Sequence, residues 1–308
     1  IALCEPRRLY NTLNQHRRYP RLAEPGYLCL LDAPMQCEYD ESHIITARRI
    51  VQVREEYRFC VRYCVVCDCE TSSMGCCDYE EEEKETERGT LTLPWQTALI
   101  SLDAEEGPAV QYARSLEQFT RHPVLILQGG YKRFSACYNF LRTQKIFWMP
   151  QELDNFQTYP VEILPAKLYM GNFKQACDQQ IQKDLKIKAQ VNISEQPATL
   201  FAEGSRYLHI PVPDWLEADL FSSFSTVSHF IDAQLCHGAV LEFSSLGLSR
   251  SSTVTVAYLM HSCQLSLKRA WYYVLECKTN MRPHRGFVKQ LSETEIYRTR
   301  ITDVSEPN

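Results

Sequence analysis

Phe243-Ser244-Ser245-Leu246-Gly247-Leu248-Ser249-Arg250-Ser251-Ser252-Thr253 follows directly on Gly238-Ala239-Val240-Leu241-Glu242-Phe243, an apolar run of the kind that forms a buried strand. A strand that enters a short glycine-containing loop and then a helix start is a ready anion cradle. Backbone N–H groups point inward, and the helix N-terminus adds a favourable dipole. Arg250 contributes a planar fork able to make two contacts with one phosphate. Ser245, Leu246, Gly247, Leu248, Ser249 and Arg250 are therefore the candidate phosphate-binding loop. One local conflict accompanies this reading. Thr253-Val254-Thr255-Val256 has strand propensity, whereas the loop requires a helix there. Burial of an apolar helix behind the loop is expected to override propensity.

Moving outward, Lys167–Asn172, Ala189–Ser194 and Tyr207–Val212 have the pattern of strands. Leu220, Phe224, Val227, Phe230, Ile231 and Leu235 mark one face of an amphipathic helix, and Ser266 is placed to cap another that turns Leu267, Ala270, Trp271 and Val274 inward. In the amino-terminal half, Tyr27–Leu31, Tyr63–Cys67 and Val124–Leu127 are short apolar runs. The last of them enters Gly129-Gly130 and then a helical pattern through Phe134, Cys137, Phe140 and Leu141. Strands with intervening helices predict an α/β protein of two domains, each a sheet flanked by helices. The expected boundaries are 1–145 for the first domain, 146–160 for a proline-containing linker and 161–300 for the second domain, with a frayed tail at 301–308.

The net charge of −5 is not evenly spread. Asp78–Glu87 holds seven acids against one lysine, a local charge of −6, which leaves the rest of the chain at +1. Such a block repels itself and reads as a solvated insertion. The balance gives no reason to expect a nucleic-acid partner. No run of eighteen apolar residues predicts a membrane span, and Ile1–Tyr10 carries Glu5 and lacks the apolar stretch of a secretory leader. Fourteen cysteines in a chain of 308 residues, without an export signal, point to a reducing intracellular compartment and mostly free thiols. The cytoplasm is the first expectation, with the mitochondrion left open.

The segment 243–253 resembles the phosphate-binding loop of the cysteine-dependent protein phosphatases, His-Cys-x5-Arg-Ser/Thr. The resemblance extends to the dual-specificity branch through Leu168-Tyr169-Met170-Gly171-Asn172, Val191-Asn192-Ile193-Ser194 and His209-Ile210-Pro211-Val212-Pro213-Asp214. It continues through Ala257-Tyr258-Leu259-Met260, Pro283, Gly286-Phe287 and Gln290-Leu291. The amino-terminal half, through Leu30-Leu31-Asp32, Glu38–Ile44 and Leu127–Phe134, resembles the rhodanese-like domain that precedes the phosphatase domain in MAP-kinase phosphatases, where it docks the kinase. The family's Asp-x-Arg reads Asp32-Ala33-Pro34 here, and its basic docking cluster is reduced to Arg48, Arg49, Arg54 and Arg58.

Two positions depart from the phosphatase pattern. Ser244 stands where the family has its nucleophilic cysteine, and Phe243 where it has the preceding histidine. The chemistry needs a thiolate that attacks phosphorus. A cysteine begins near a pKa of ~8.5 and is pulled lower by a helix N-terminus and nearby positive charge. A serine hydroxyl stays protonated in that field, and Phe243 supplies no base. Asp214, 30 residues before Ser244, matches the family's general acid or is simply a surface loop residue. The combination resembles the catalytically inactive serine/threonine/tyrosine-interacting phosphatases. It implies a regulator without enzymatic activity or cofactor that binds phosphorylated signalling proteins or modulates active phosphatases or kinases. The alternatives are a weakly active dual-specificity phosphatase and a scaffold that binds through its rhodanese-like half.

Three other chemistries fit less well. Ser249 in Gly247-Leu248-Ser249-Arg250-Ser251 lacks the second glycine of a hydrolase nucleophile elbow. Cys64 and Cys67 lie in an apolar strand pattern with no second ligand pair at zinc spacing. A sulfurtransferase would need a cysteine where Asp68 stands, in a loop whose acidity opposes an anionic donor.

Overall fold

The computed structural model describes residues 1–17, 20–24, 26–33, 36–49, 61–71, 107–147, 149–198 and 206–304. The acidic run 78–87, Arg54 and Arg58 lie outside them. The chain divides into two compact α/β units, Ile1–Leu9 with Leu22–Asp154, and Tyr10–Arg21 with Asn155–Asn308. Residues 10–21, which the sequence reading assigns to the first 145, therefore belong to the second unit. The later division falls after Asp154.

In the first unit, β1 (Ala2–Cys4), β2 (Leu28–Asp32), β4 (Arg48–Arg49), β5 (Tyr63–Cys67) and β6 (Val124–Leu127) form a parallel sheet in the order β1-β6-β5-β2-β4. A parallel sheet is covered on both faces, which is why its inner strands read as unbroken apolar runs. All four residues of β6 are buried. Helix α2 spans Gln36–Glu41, α3 Pro108–Glu117 and α4 Gly130–Cys137, while α1 (Pro6–Leu13) begins in this unit and ends among the residues assigned to the second. Helix α3 turns Ala109, Val110 and Ala113 onto Cys64, Val66, Val124 and Ile126. Strands β3 (His43–Ile44) and β7 (Arg142–Thr143) form a separate antiparallel pair.

The second unit holds β8 (Val161–Leu164), β9 (Leu168–Asn172), α5 (Phe173–Ala176), α6 (Gln179–Asp184), β10 (Ile187–Asn192), β11 (Arg206–His209), α7 (Phe221–Leu235), β12 (Ala239–Ser244), α8 (Arg250–Ser262), α9 (Leu267–Cys277) and α10 (Arg285–Val304). Its sheet runs β11-β10-β12-β9-β8, parallel except for β8. Strand β12, last in sequence, is inserted at the centre, so the loop after it opens at the carboxyl edge of the sheet where the strand order reverses. That crevice is where open α/β sheets place their ligands.

Helix α8 shows how burial overrides propensity. Every residue from Arg250 to Met260 is buried, and the hydroxyls of Thr253 and Thr255 donate to the carbonyls of Ser249 (2.8 Å) and Ser251 (3.0 Å) one turn back. Ser266 caps α9, its hydroxyl accepting the Arg269 N–H. The expected tail is a correction: α10 continues to Val304. No helix among the described residues is long and apolar enough to cross a membrane.

Candidate functional site

The loop is built by three local constraints. Strand β12 ends at Ser244, α8 begins at Arg250, and Gly247 makes the turn between them at φ 68°. A β-carbon on Gly247 would lie 2.5 Å from the Gly171 carbonyl at the end of β9, so both the backbone angle and the close approach demand glycine. The loop is anchored outside itself by Arg282 N–H donating to Leu248 O (2.8 Å) and, more weakly, Phe173 N–H to Ser245 O (3.4 Å). The first turn of α8 aims its amides and its positive dipole end at this loop.

Arg250 is 5% exposed. Its Nη1 donates to the Val212 carbonyl (2.6 Å) and Nη2 to the Ser245 hydroxyl (2.9 Å). The first bond fixes the guanidinium plane. The Nε–Nη2 edge is then left facing groups that can give way, the Ser245 hydroxyl and Asp214. Asp214 Oδ2 stands 3.8 Å from Arg250 Nε, and its Oδ1 accepts from the Ser249 hydroxyl (2.7 Å) and lies 3.7 Å from His284 Nε2. Both Arg250 Nε and His284 Nε2 are buried without a hydrogen-bond partner among the described residues. Phe287 N–H donates to His284 Nδ1 (3.3 Å), which points the other ring nitrogen at Asp214.

Ser244 and Phe243 leave the strand on opposite faces, as alternate residues must. Ser244, 2% exposed, donates its hydroxyl to Ser251 Oγ (3.1 Å). Phe243 packs edge-on against Phe173 with ring centroids 6.0 Å apart. Its ring is thus held in the core next to α5. Leu246 leaves its side chain 73% exposed at the loop's tip. Three residues before the loop, Glu242 is fully buried with its Oε2 2.7 Å from the Thr255 hydroxyl, and burial pushes its carboxyl well above the usual carboxylate range.

The loop, Arg250 and Asp214 expected from sequence are brought together. His284 and the Val212 carbonyl were not foreseen. His284 follows Pro283 in the carboxyl-terminal motif, a signal that was present but without stated chemistry. A backbone carbonyl carries no residue-type signal at all.

These features agree with the family comparison, in which residues 168–296 match the dual specificity phosphatase catalytic domain. Residues 168–296 form a dual-specificity-phosphatase-like domain. The chain is 37% identical over 144 residues to dual specificity protein phosphatase Mpk3 of Drosophila melanogaster, covering 46% of this chain and 35% of that protein. It is 28% identical over 207 residues to a probable rhodanese domain-containing dual specificity protein phosphatase of Dictyostelium discoideum, covering 66% of this chain and 44% of that one. A rhodanese-like first unit is consistent with that match. Among solved structures, a human tyrosine phosphatase-like serine/threonine/tyrosine-interacting protein matches the chain at 26% identity and a TM-score of 0.41, covering 45% of this chain and 96% of that one. The chain spans roughly a third to two thirds of the length of the curated relatives it matches.

In the first unit, residues 68–71, which follow β5, are bonded among themselves. Asp68 Oδ1 accepts the backbone N–H groups of Thr71 (2.7 Å) and Glu70 (3.2 Å), occupying the amides that would cradle an anion. The Cys69 thiol donates to Glu38 Oε2 (2.8 Å), and burial together with Glu38 pushes it up to about 12. Burial likewise raises Asp32 to about 7, with Asp68 and Glu38 adding to the rise. Ten cysteines are free among the described residues, and no cluster there could hold a metal ion. Cys64 and Cys67 are both buried in β5.

Proposed function

We propose that this protein is a non-catalytic, phosphatase-like regulator that recognises phosphorylated proteins through the loop 245–250. The observation that carries the reading is the loss of the nucleophile at Ser244, with Phe243 in place of the preceding histidine, beside a cradle that is otherwise complete. The hydroxyl of Ser244 occupies the nucleophile's place and donates to Ser251, while Gly247 and a buried Arg250 keep the geometry of an oxyanion site. Arg250 Nε supports it further, because it has Asp214 only at ion-pair distance and no hydrogen-bond acceptor among the described residues, which an incoming phosphate oxygen would supply. Loss of a covalent nucleophile costs on the order of a million-fold in turnover, which leaves binding as the loop's remaining use. Asp214 then acts as an internal placeholder near the arginine rather than as a proton donor. Partners of this reading are phosphorylated signalling proteins, and active phosphatases or kinases that share them, in an intracellular compartment.

Calorimetry with a phosphotyrosine or phosphothreonine peptide tests the proposal. We expect saturable binding that Arg250→Ala weakens by about tenfold or more and no turnover of a chromogenic aryl phosphate. Turnover abolished by Arg250→Ala would show a working enzyme instead. The double variant Phe243→His with Ser244→Cys should gain aryl phosphate hydrolysis, since the rest of the cradle is in place. If neither peptide binding nor gained hydrolysis is found, the loop is not an oxyanion site.

A further inference from the structure

Two cysteines meet across neighbouring strands of the first unit. Strands β2 and β5 run parallel, and their register sets Cys29 directly beside Cys64. Partners in a parallel pair leave the sheet on the same face, and both residues belong to the apolar cluster that Ala109, Val110 and Ala113 of α3 cover. Adjacent strands lie about 4.7–4.9 Å apart, inside the Cα separation of roughly 4.4–6.8 Å over which a disulfide forms. The two side chains are already in contact, the Cys29 thiol donating a hydrogen bond to the Cys64 sulfur. Cys64 is 2% exposed, whereas Cys29, near the amino end of its strand, is only partly covered. A small oxidant therefore has a way in at Cys29.

The other two cysteines of this sheet have no thiol across from them. Cys4 pairs with Leu127 and Cys67 with Asp32. Cys67 leaves β5 on the face opposite to Cys64, and its thiol donates to Leu31 O (3.5 Å) and Asp32 Oδ1 (3.4 Å). Burial pushes Cys4 up to about 12 and Cys67 well above the usual thiol range. Cys64 is buried too, yet the hydrogen bond from Cys29 holds it below its ordinary value. The pair thus contains a sulfur that ionises readily, and the thiolate is the form that oxidants attack.

We infer that Cys29 and Cys64 are a redox site of the first unit, a cross-strand dithiol that hydrogen peroxide closes to a reversible disulfide. The Cys64 thiolate attacks one peroxide oxygen, forming an S–O bond as the O–O bond breaks, and the departing hydroxide takes up a proton to become water. The Cys29 thiol then attacks the Cys64 sulfur, loses its proton and forms the S–S bond, while the S–O bond breaks and releases a second water. Two thiols and one peroxide become one disulfide and two waters. In register, the paired β-carbons stand at about the strand spacing, slightly wider than the roughly 3.5–4.5 Å that a disulfide prefers. The closed bond is consequently strained, and strained disulfides are the ones that thiols reduce. The site is independent of phosphate binding at the loop 245–250, because both cysteines lie in the first unit.

The test is graded hydrogen peroxide on the full native chain, quenched with a thiol-alkylating reagent, digested without reductant and read by mass spectrometry. A peptide pair linked through Cys29 and Cys64, lighter than its reduced parts by two hydrogens, is expected, and reduced glutathione should restore both thiols. Amide exchange at 28–32 and 63–67 should slow in the oxidised chain, because the bond fastens β2 to β5. Cys29→Ala should abolish the link and leave Cys64 as a sulfenic acid that dimedone traps, whereas Cys137→Ser, at an exposed cysteine, should leave the link unchanged. A comparison that needs no variant is the parent unfolded in urea, which should give the link about tenfold more slowly, since the native register is what brings the thiols together. The inference is overturned if exposed Cys137 and Cys236 are consumed while Cys29 and Cys64 stay reduced, if the unfolded chain forms the link as fast, or if glutathione leaves it intact.

Discussion

Glu242 stands at the centre of β12 with both neighbours of its sheet in place, a carboxyl group at a position surrounded by apolar side chains. Thr255 satisfies one oxygen, and the other has no hydrogen-bond partner among the described residues. Burial raises its pKa well above the model-peptide value of 4.5, so the folded chain retains a proton that the unfolded chain releases. The sign follows from linkage. The folded state binds more protons, so this group's contribution is full below pH 4.5 and is lost as pH rises toward the raised folded value. Thermal unfolding of the parent at pH 5 and pH 8 should therefore show a fall in midpoint that Glu242→Gln diminishes. At the higher pH the variant should lose less stability than the parent, because the glutamate must hold a proton to stay buried and the glutamine has none to take up. Identical pH dependence in the two proteins would remove this account. The sequence reading places Glu242 inside the strand without singling it out, because its burial depends on strands brought in from elsewhere.

At the scale of elements, the loop depends on one glycine. Gly247→Ala must place a β-carbon 2.5 Å from the Gly171 carbonyl while holding a left-handed φ. The backbone angle alone costs about 1–2 kcal/mol. The variant should unfold at lower temperature and lose phosphopeptide binding, since the amides of the loop cannot keep their positions. A stable variant with parental affinity would mean that the loop tolerates another path. The elements were legible in proportion to their pattern. Tyr63–Cys67 and Val124–Leu127 are read at their observed bounds because a buried parallel strand needs an unbroken apolar run. Strands β3, β4 and β7 have two residues each, too few to show a period. Helix α8 goes against its own threonines and valines, and only the decision that the loop needs a helix behind it recovers it.

For the whole molecule, the notable departure is the placement of residues 10–21. Asn11 accepts Glu162 N–H on Oδ1 (2.7 Å) and donates Nδ2 to Glu162 O (2.9 Å), both buried, and the Tyr10 hydroxyl donates to Pro160 O (2.8 Å). Edge strand β8 thus has its backbone groups completed by a side chain from the amino-terminal segment. Asn11→Ala strands a buried donor and acceptor and should cost about 2–4 kcal/mol, read as a lower denaturant midpoint at unchanged slope. A fragment 161–304 should be less stable than 10–304 for the same reason. Equal midpoints would show that residues 10–21 are dispensable to the second unit.

The sequence alone determined that the chain has no thiol at the position where a cysteine phosphatase attacks phosphorus. It also determined the strand–loop–helix that surrounds this position. Both are local, written in spacing and residue type over about a dozen positions. Only the tertiary structure decided that Asp214 and His284 meet beside Arg250, that Phe243 turns into the core, and that Asn11 completes the backbone of β8 at Glu162. Those outcomes depend on contacts between residues as many as 151 positions apart, and no local pattern records which distant groups will be buried together.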